Sequence, residues 1–329
     1  MIELKQVNKT FESNKGDFQA LSNIDLRLDD RMCYGIVGYS GAGKSTLVRL
    51  LNGLIKPSSG QILIDGIDLT KLKPNELNTL RKQMGMVFQS DNLLSQLSVY
   101  ENIKLALQIS NYPKDERHDR ILEVLNLVGL LDKKDNYPKE LSGGQRQRVG
   151  IARAISFKPK YLLCDEITSA LDPNTALEVV KLLNEIKEKE SMTIVFISHQ
   201  MEIVREIADQ IVVMENGRIV EQKSTVNLFI NPQKEISKKL LRQEELDFFR
   251  GDDVYQLIYD AKNVYESLLS TMIQTYLVRL SILHAETLKL KGHILGRMII
   301  RIEGKNDQES LDYLRNHGVK ITEFNKEER

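Results

Sequence analysis

Gly38-Tyr39-Ser40-Gly41-Ala42-Gly43-Lys44-Ser45 fits the phosphate-loop pattern GxxxxGK[ST] at every position, and the rest of the chain is organised around it. An apolar run, Tyr34-Gly-Ile-Val37, leads into it, and Leu47, Leu50, Leu51 and Leu54 follow at helical spacing. The reading is a buried strand that turns through glycines into the start of a helix. Glycines in such a turn let backbone N–H groups converge on phosphate oxygens, and the helix N-terminus adds partial positive charge. Gly38, Gly41 and Gly43 take that part, with Tyr39, Ser40, Ala42 and Thr46 completing the cradle. Lys44 pairs with the β- and γ-phosphates, and the Ser45 hydroxyl is a ligand for Mg²⁺.

Further along, Leu141-Ser-Gly-Gly-Gln145 forms a second anion corner. Ser142 can cap the helix that carries Val149, Ala152 and Ile155, while Gly143 and Gly144 leave N–H groups open to an anion. Two phosphate clamps in one chain imply hydrolysis that depends on bringing both around one triphosphate.

Three further elements belong to the same chemistry. Tyr161-Leu-Leu-Cys-Asp165-Glu166 puts two carboxylates at the end of a buried strand, where ligands of open α/β sheets sit. Asp165 supports the Mg²⁺ shell, and Glu166 accepts a proton from the attacking water or orients it. His199 follows Thr193–Ser198 at another strand end and is a candidate γ-phosphate contact. Gln89, in Met86-Val-Phe-Gln89, carries an amide that can reach Mg²⁺ or the water. Each alone has a bland reading: a capped helix start, an acidic pair, a solvated histidine. His118, His284, His293 and His317 lack metal-ligand spacing and are read as non-catalytic.

The chain has 329 residues, long for one domain and comfortable for two. Lys+Arg 46 against Asp+Glu 46 leaves no net charge, which argues against nucleic acid as a general partner. Cys33 and Cys164 sit inside apolar runs and read as small buried hydrophobes in a reducing compartment. Met1-Ile-Glu-Leu-Lys5 has no signal-peptide layout, and no apolar run approaches the roughly 20 residues needed to span a bilayer. The expectation is a cytosolic protein that docks on a membrane protein.

Residues 1–231 alternate short apolar runs with helical patterns, as α/β folds do. Ile62 and Ile64 before Asp65-Gly66, and Glu215-Asn-Gly-Arg218 before Ile219-Val220, signal hairpins. Asp172-Pro173 starts a helix with Val179, Leu182, Leu183 and Ile186 on one face. Residues 232–252 are charge-rich, with Lys238, Lys239 and Arg242 against Glu244 and Glu245, and read as a solvated helical linker. In 253–329, a strand at Val254–Tyr259 precedes a helix over Leu268, Leu269, Met272 and Ile273. Strands at Val278–His284 and Ile294–Ile302 follow, joined near Lys291-Gly292. A capping box from Asn306 to Glu309 opens a helix that Gly318 ends, and Val319–Phe324 is the last strand. This β-α-β-β-α-β order is the ferredoxin-like split motif, an α+β domain.

Walker A (38–45), the Gln89 loop, Leu141–Gln145, Walker B (161–166), Ser169-Ala-Leu-Asp172 and His199, in that order, resemble the ATP-binding subunit of ABC transporters. The resemblance implies a P-loop ATPase domain with an antiparallel β subdomain and a helical subdomain, binding ATP and Mg²⁺. It implies that Phe11 stacks on adenine, that Ser142, Gly143 and Gly144 clamp the γ-phosphate of a second copy, and that Asp172 lies at the homodimer interface. Gln89 and the segment through Glu101 would receive the coupling helix of a membrane subunit. With its C-terminal domain the chain is similar to the methionine-import ATP-binding subunits. Local wording such as Tyr137-Pro-Lys-Glu-Leu-Ser142 and Leu162-Leu-Cys-Asp-Glu-Ile-Thr-Ser-Ala-Leu-Asp-Pro173 carries that likeness.

That family implies two integral-membrane permease subunits, an extracytoplasmic substrate-binding protein and a place on the cytoplasmic face of the membrane. It also implies methionine bound at the C-terminal domain as a feedback brake. Leu280-Ser-Ile-Leu-His284 and Gly296-Arg-Met-Ile-Ile300 match its second and third strands in outline, with Ser281 where many relatives have Asn. A domain that only strengthens dimerisation is the alternative. The rival functions are an ABC ATPase importing another small substrate and a non-transport ABC ATPase. Exporter and cell-division cassettes usually lack this C-terminal domain, and the helical patterns over 264–276 and 307–317 oppose the all-β domain of sugar importers. Ribosomal types carry two cassettes, and DNA-repair types insert coiled coils or zinc motifs that this sequence lacks.

Overall fold

The computed structural model describes residues 1–12, 16–89, 92–241, 248–249, 251–260, 267–291, 293–304 and 306–323. Arg242, Glu244, Glu245, Gly292 and Phe324, which the sequence reading invoked, lie outside them. The chain divides into two compact units, Met1–Ser224 and Thr225–Arg329.

The first unit runs β1 (Ile2–Phe11), β2 (Phe18–Leu28), β3 (Cys33–Val37), α1 (Lys44–Leu51), β4 (Ser59–Ile64), β5 (Ile67–Asp68), α2 (Pro74–Arg81), β6 (Met84–Val87) and α3 (Val99–Ile109). It continues with α4 (Arg117–Leu127), α5 (Gly143–Ile155), β7 (Tyr161–Cys164), α6 (Pro173–Glu190), β8 (Thr193–Ile197), α7 (Met201–Ile207), β9 (Gln210–Glu215) and β10 (Arg218–Ser224). An antiparallel sheet has the order β2-β1-β4-β5, and a six-stranded sheet the order β10-β9-β3-β8-β7-β6. In the latter, β9 through β6 are parallel and β10 is an antiparallel edge.

Every residue of β3, β7 and β8 is buried, as continuous apolar runs in a covered parallel sheet require. Ile2, Leu4, Ile62 and Ile64 from the antiparallel sheet share one core with Tyr34, Leu47, Tyr161 and Val195. α3 and α4 pack on α5 and form the helical part of the unit.

Both hairpin signals produce the expected turns: Asp65-Gly66 (φ 49° and 81°) and Asn216-Gly217 (φ 48° and 73°) are left-handed at both centres. Leu54 departs from its expected helical face. α1 ends at Leu51, Gly53 turns left-handed at φ 63°, and Leu54 is exposed.

The second unit opens with α8 (Thr225–Ile230) and α9 (Glu235–Leu240), the latter with Ile236 and Ser237 buried. It then runs β11 (Val254–Asp260), α10 (Leu268–Tyr276), β12 (Arg279–Leu290), β13 (His293–Glu303), α11 (Asp307–Asn316) and β14 (Lys320–Glu323). The sheet is antiparallel in the order β12-β13-β11-β14, which is the split β-α-β-β-α-β arrangement. Leu268, Met272, Leu311 and Leu314 from the helices pack on Leu257, Ile300 and Ile302.

β12 extends well past the strand read from sequence, to Leu290, because pairing continues out to Leu290↔His293 where polar residues alternate, whereas β13 matches its reading to within one residue at each end. The capping box at Asn306 does not form: its side chain makes no cap bond, and Nδ2 donates instead to the Tyr276 carbonyl at 3.3 Å. Tyr259 faces Gly296 across β11 and β13, and a Cβ there would meet its ring at 2.1 Å. Gly296→Ala is therefore expected to destabilise the second unit by about 1–3 kcal/mol through overpacking. Urea unfolding checks this, and an unshifted midpoint would refute it.

Candidate active site

The parallel order β3-β8-β7-β6 brings four sequence-distant strand ends to one edge. Gly38 follows β3, Ser198-His199 follows β8, Asp165-Glu166 follows β7, and Phe88-Gln89 follows β6.

The loop after β3 can be built only by glycine at two points. A Cβ on Gly38 (φ 151°) would stand 2.3 Å from the Met214 carbonyl oxygen, and one on Gly43 (φ 96°) 2.7 Å from that of Ala20. Close packing on both sides curls the chain so that Gly43 caps α1 with its backbone alone. Lys44 lies buried beneath the curl, where Nζ donates to the Gly38 oxygen at 2.8 Å and the Tyr39 oxygen at 2.9 Å. Burial pulls its pKa down, opposed by the charges of Glu166 and Asp165. The ammonium is thus hydrogen-bonded to two carbonyls, with the Glu166 and Asp165 carboxylates acting on it through space, and a polyphosphate would bring it a direct counter-charge.

A cleft of 230 Å³ opens over this loop, lined by Phe18, Ala20, Ser40, Gly41, Ala42, Gly43, Lys44, Ser45, Thr46 and Glu166. Ser45 Oγ donates to Asp165 Oδ1 at 3.0 Å, so the two proposed Mg²⁺ ligands are already side by side. Both are hard oxygen donors, the chemistry that Mg²⁺ prefers.

Glu166 is in the left-handed region at φ 51°, a conformation that costs a non-glycine residue and persists only when its surroundings enforce it. Here Ser169 enforces it: its N–H and hydroxyl both donate to the Glu166 carbonyl, at 3.1 Å and 2.9 Å. Gln89 Nε2 donates to that same Ser169 hydroxyl at 3.3 Å, tying the loop after β6 to the turn that aims Glu166. On the other side, Gln200 N–H donates to Ser198 Oγ at 3.0 Å, shaping the turn that leaves His199 exposed at the edge.

Ser142 caps α5 through a reciprocal box: its N–H donates to Gln145 Oε1 at 2.9 Å, and its hydroxyl accepts from Gln145 N–H at 3.3 Å. Gly143 is exposed, while Gly144 is buried against Thr175, whose methyl would be 2.4 Å from an added Cβ. Asp172 caps α6 by accepting from Thr175 N–H at 3.1 Å, and the bond from Thr175 holds its carboxyl below the usual range.

None of Ser142, Gly143, Gly144, Gln145 or Asp172 lines the cleft. Nor do Gln89 and His199, which stand at its sheet edge, or Phe11, whose ring carries Lys9 Nζ at 4.8 Å from its centroid. Phe18, which the sequence reading did not single out, does line it, directly opposite Phe11 in the β1–β2 register. Its signal in the sequence was an aromatic at the far end of an edge hairpin, visible only once the pairing is known.

Phe18→Ala is expected to weaken ATP binding roughly five- to tenfold, the low end of the about 1–3 kcal/mol of a base–aromatic stack. Inorganic triphosphate should bind equally to both proteins. An equal loss for ATP and triphosphate would take Phe18 away from the base.

Among the described residues no helix is long and apolar enough to cross a membrane. Residues 21–169 match the family model for ABC transporters, and residues 253–323 match the NIL domain. The chain is 40% identical to the methionine import ATP-binding protein MetN 1 of Shouchella clausii, over 98% of this chain and 97% of that protein. It is 41% identical to MetN of Helicobacter pylori, over 98% of both chains. Among solved structures, the ATP-binding cassette MJ0796, a dimer in a post-hydrolysis state with ADP and Pi, has a TM-score of 0.63 and 34% identity, covering 68% of this chain and 99% of its own. A second, cbiO1 of Clostridium perfringens, part of the cbiONQ transporter complex, has a TM-score of 0.63 and 28% identity, covering 83% of this chain and 98% of its own.

Proposed function

Since the chain belongs to the methionine-import ATP-binding proteins of the ABC transporters, we propose that it hydrolyses ATP to drive import of methionine, or a related amino acid, through a membrane permease. The observation that carries the mechanism is the division of the two anion clamps. Ser40–Ser45 of the phosphate loop and Glu166 line one cleft, and Ser142–Gly144 lie outside its lining. A second copy supplying that corner completes the site, which makes the working unit a homodimer with two sandwiched nucleotides.

In this reading Phe11 and Phe18 take the adenine, the N–H groups of Gly41–Thr46 and the Lys44 ammonium take the β- and γ-phosphates, and the partner's corner closes over the γ-phosphate. Ser45, Asp165 and Gln89 would hold Mg²⁺, which neutralises charge on the phosphate oxygens. Glu166 receives the proton of the attacking water as its oxygen bonds to the γ-phosphorus and the bond to the β-phosphate oxygen breaks. His199 contacts the γ-phosphate, and Asp172 faces the other copy.

Closure and reopening of the pair would move two permease subunits, docked near Gln89–Glu101 on the cytoplasmic face of the membrane. The permease receives its cargo from an extracytoplasmic binding protein. Methionine at the C-terminal domain, as a feedback brake, belongs to the same reading.

The test is reconstitution with permease and binding protein in vesicles. ATP-dependent uptake of labelled methionine supports the proposal. Uptake of a different solute alone shifts it to another importer, and no transport of any solute rejects it. Calorimetric titration of the full chain with methionine tests the brake: heat of binding supports it, and its absence leaves the domain a dimerisation element.

A further inference from the structure

Arg120, in the middle of the helical part, is 3% exposed, an unusual place for a permanent cation. Its Nε donates to the Ser156 oxygen at 2.8 Å and Nη2 to the Ile155 oxygen at 2.9 Å. These carbonyls end α5, where they have no partner within the helix and carry the negative end of its dipole. Nη1 donates to Glu190 Oε1 at 3.1 Å, at the last residue of α6, and to Glu123 Oε2 at 2.8 Å. One guanidinium therefore ties together the far ends of α5 and α6.

The near ends of the same two helices begin at Ser142 and Asp172, each an N-cap. They too are locked, by Gly144 against Thr175 and by Arg148 Nη2 donating to Glu178 Oε2 at 2.8 Å. A buried ion network is a poor way to gain stability, since apolar side chains of similar volume do as well or better. Its better-attested use is to fix register.

We infer that Arg120 is a positioning residue for ATP hydrolysis, setting the axial register of α5 against α6 so that Ser142, against the other copy's nucleotide, and Asp172, against the other copy itself, meet it as one rigid edge. The inference rests on the proposed action of Ser142–Gly144 in trans. Lysine cannot replace arginine here, because a single ammonium cannot span acceptors that the planar fork reaches together.

The experiment compares Arg120→Lys and Arg120→Gln with Ser142→Arg, all in the full chain, with turnover normalised to nucleotide-binding stoichiometry. The expected result for Arg120→Lys is kcat lowered roughly 10- to 100-fold, with KM and the affinity for a non-hydrolysable ATP analogue within roughly twofold of the parent. Arg120→Gln should be lower still, and if it does not fold, Arg120→Lys alone decides. Ser142→Arg should abolish turnover. If Ser142→Arg stays active, the trans reading falls and this inference with it. If Ser142→Arg is dead but Arg120→Lys keeps the parent kcat, or loses binding and turnover together, Arg120 has no positioning role.

Discussion

Glu166→Gln binds ATP as the parent does and hydrolyses it slower by a factor of roughly 10² or more, the range for loss of a general base. The substitution keeps the size and hydrogen-bonding reach of the side chain and removes only its ability to take a proton. It does not disturb the backbone, since the bonds that hold residue 166 left-handed come from Ser169 to the main-chain carbonyl. Apart from Glu166 the cleft is lined by Phe18, Ala20 and Ser40–Thr46, which the substitution leaves in place, so affinity is preserved. Single-turnover assays beside equilibrium binding of ATP check the split. Near-parent turnover would remove Glu166 from proton transfer, whereas lost binding would make it a phosphate-site residue.

Lys44→Ala acts on the other half of the chemistry. In the parent the ammonium is buried, depressed in pKa by that burial against the opposing charges of Glu166 and Asp165, and hydrogen-bonded to the Gly38 and Tyr39 carbonyls. It gains a counter-charge when a polyphosphate arrives. Deleting a charged donor costs about 1.5–3 kcal/mol, so ATP affinity should fall roughly 10- to 100-fold. The two carbonyls that lose their donor also loosen the loop, which adds to the loss. Fluorescence titration with a labelled ATP measures it, and unchanged affinity would refute the phosphate-loop assignment. AMP, which lacks the phosphates Lys44 serves, should lose far less.

The two variants separate because the sequence wrote their roles in contiguous residues. GxxxxGK[ST] between a strand and a helix needs no knowledge of anything remote, since the loop's own backbone makes the anion site. Asp165-Glu166 at the end of Tyr161–Cys164 is legible for the same reason, and so are the turns at Asp65-Gly66 and Asn216-Gly217, where local φ preference dominates. The order of elements in residues 254–323 likewise followed from alternation and turn residues. Two local signals were overridden, each for its own reason: Gly53 turned left-handed and ended α1 before Leu54, and Asn306 donated to the distant Tyr276 carbonyl instead of capping its own helix.

Pairings between distant segments were not written in any window. That Ser45 touches Asp165, that Gln89 reaches Ser169, and that Phe18 rather than Phe11 lines the cleft depend on strand order and register. Arg120 looks like any surface arginine of an amphipathic helix until α4 is seated on the end of α5. The chain's residues alone established a phosphate loop, its carboxylates and a second domain of split topology. Packing alone decided which of those groups line one cleft and which lie outside its lining, because distances across a sheet are set by non-local contacts that periodicity and spacing do not encode.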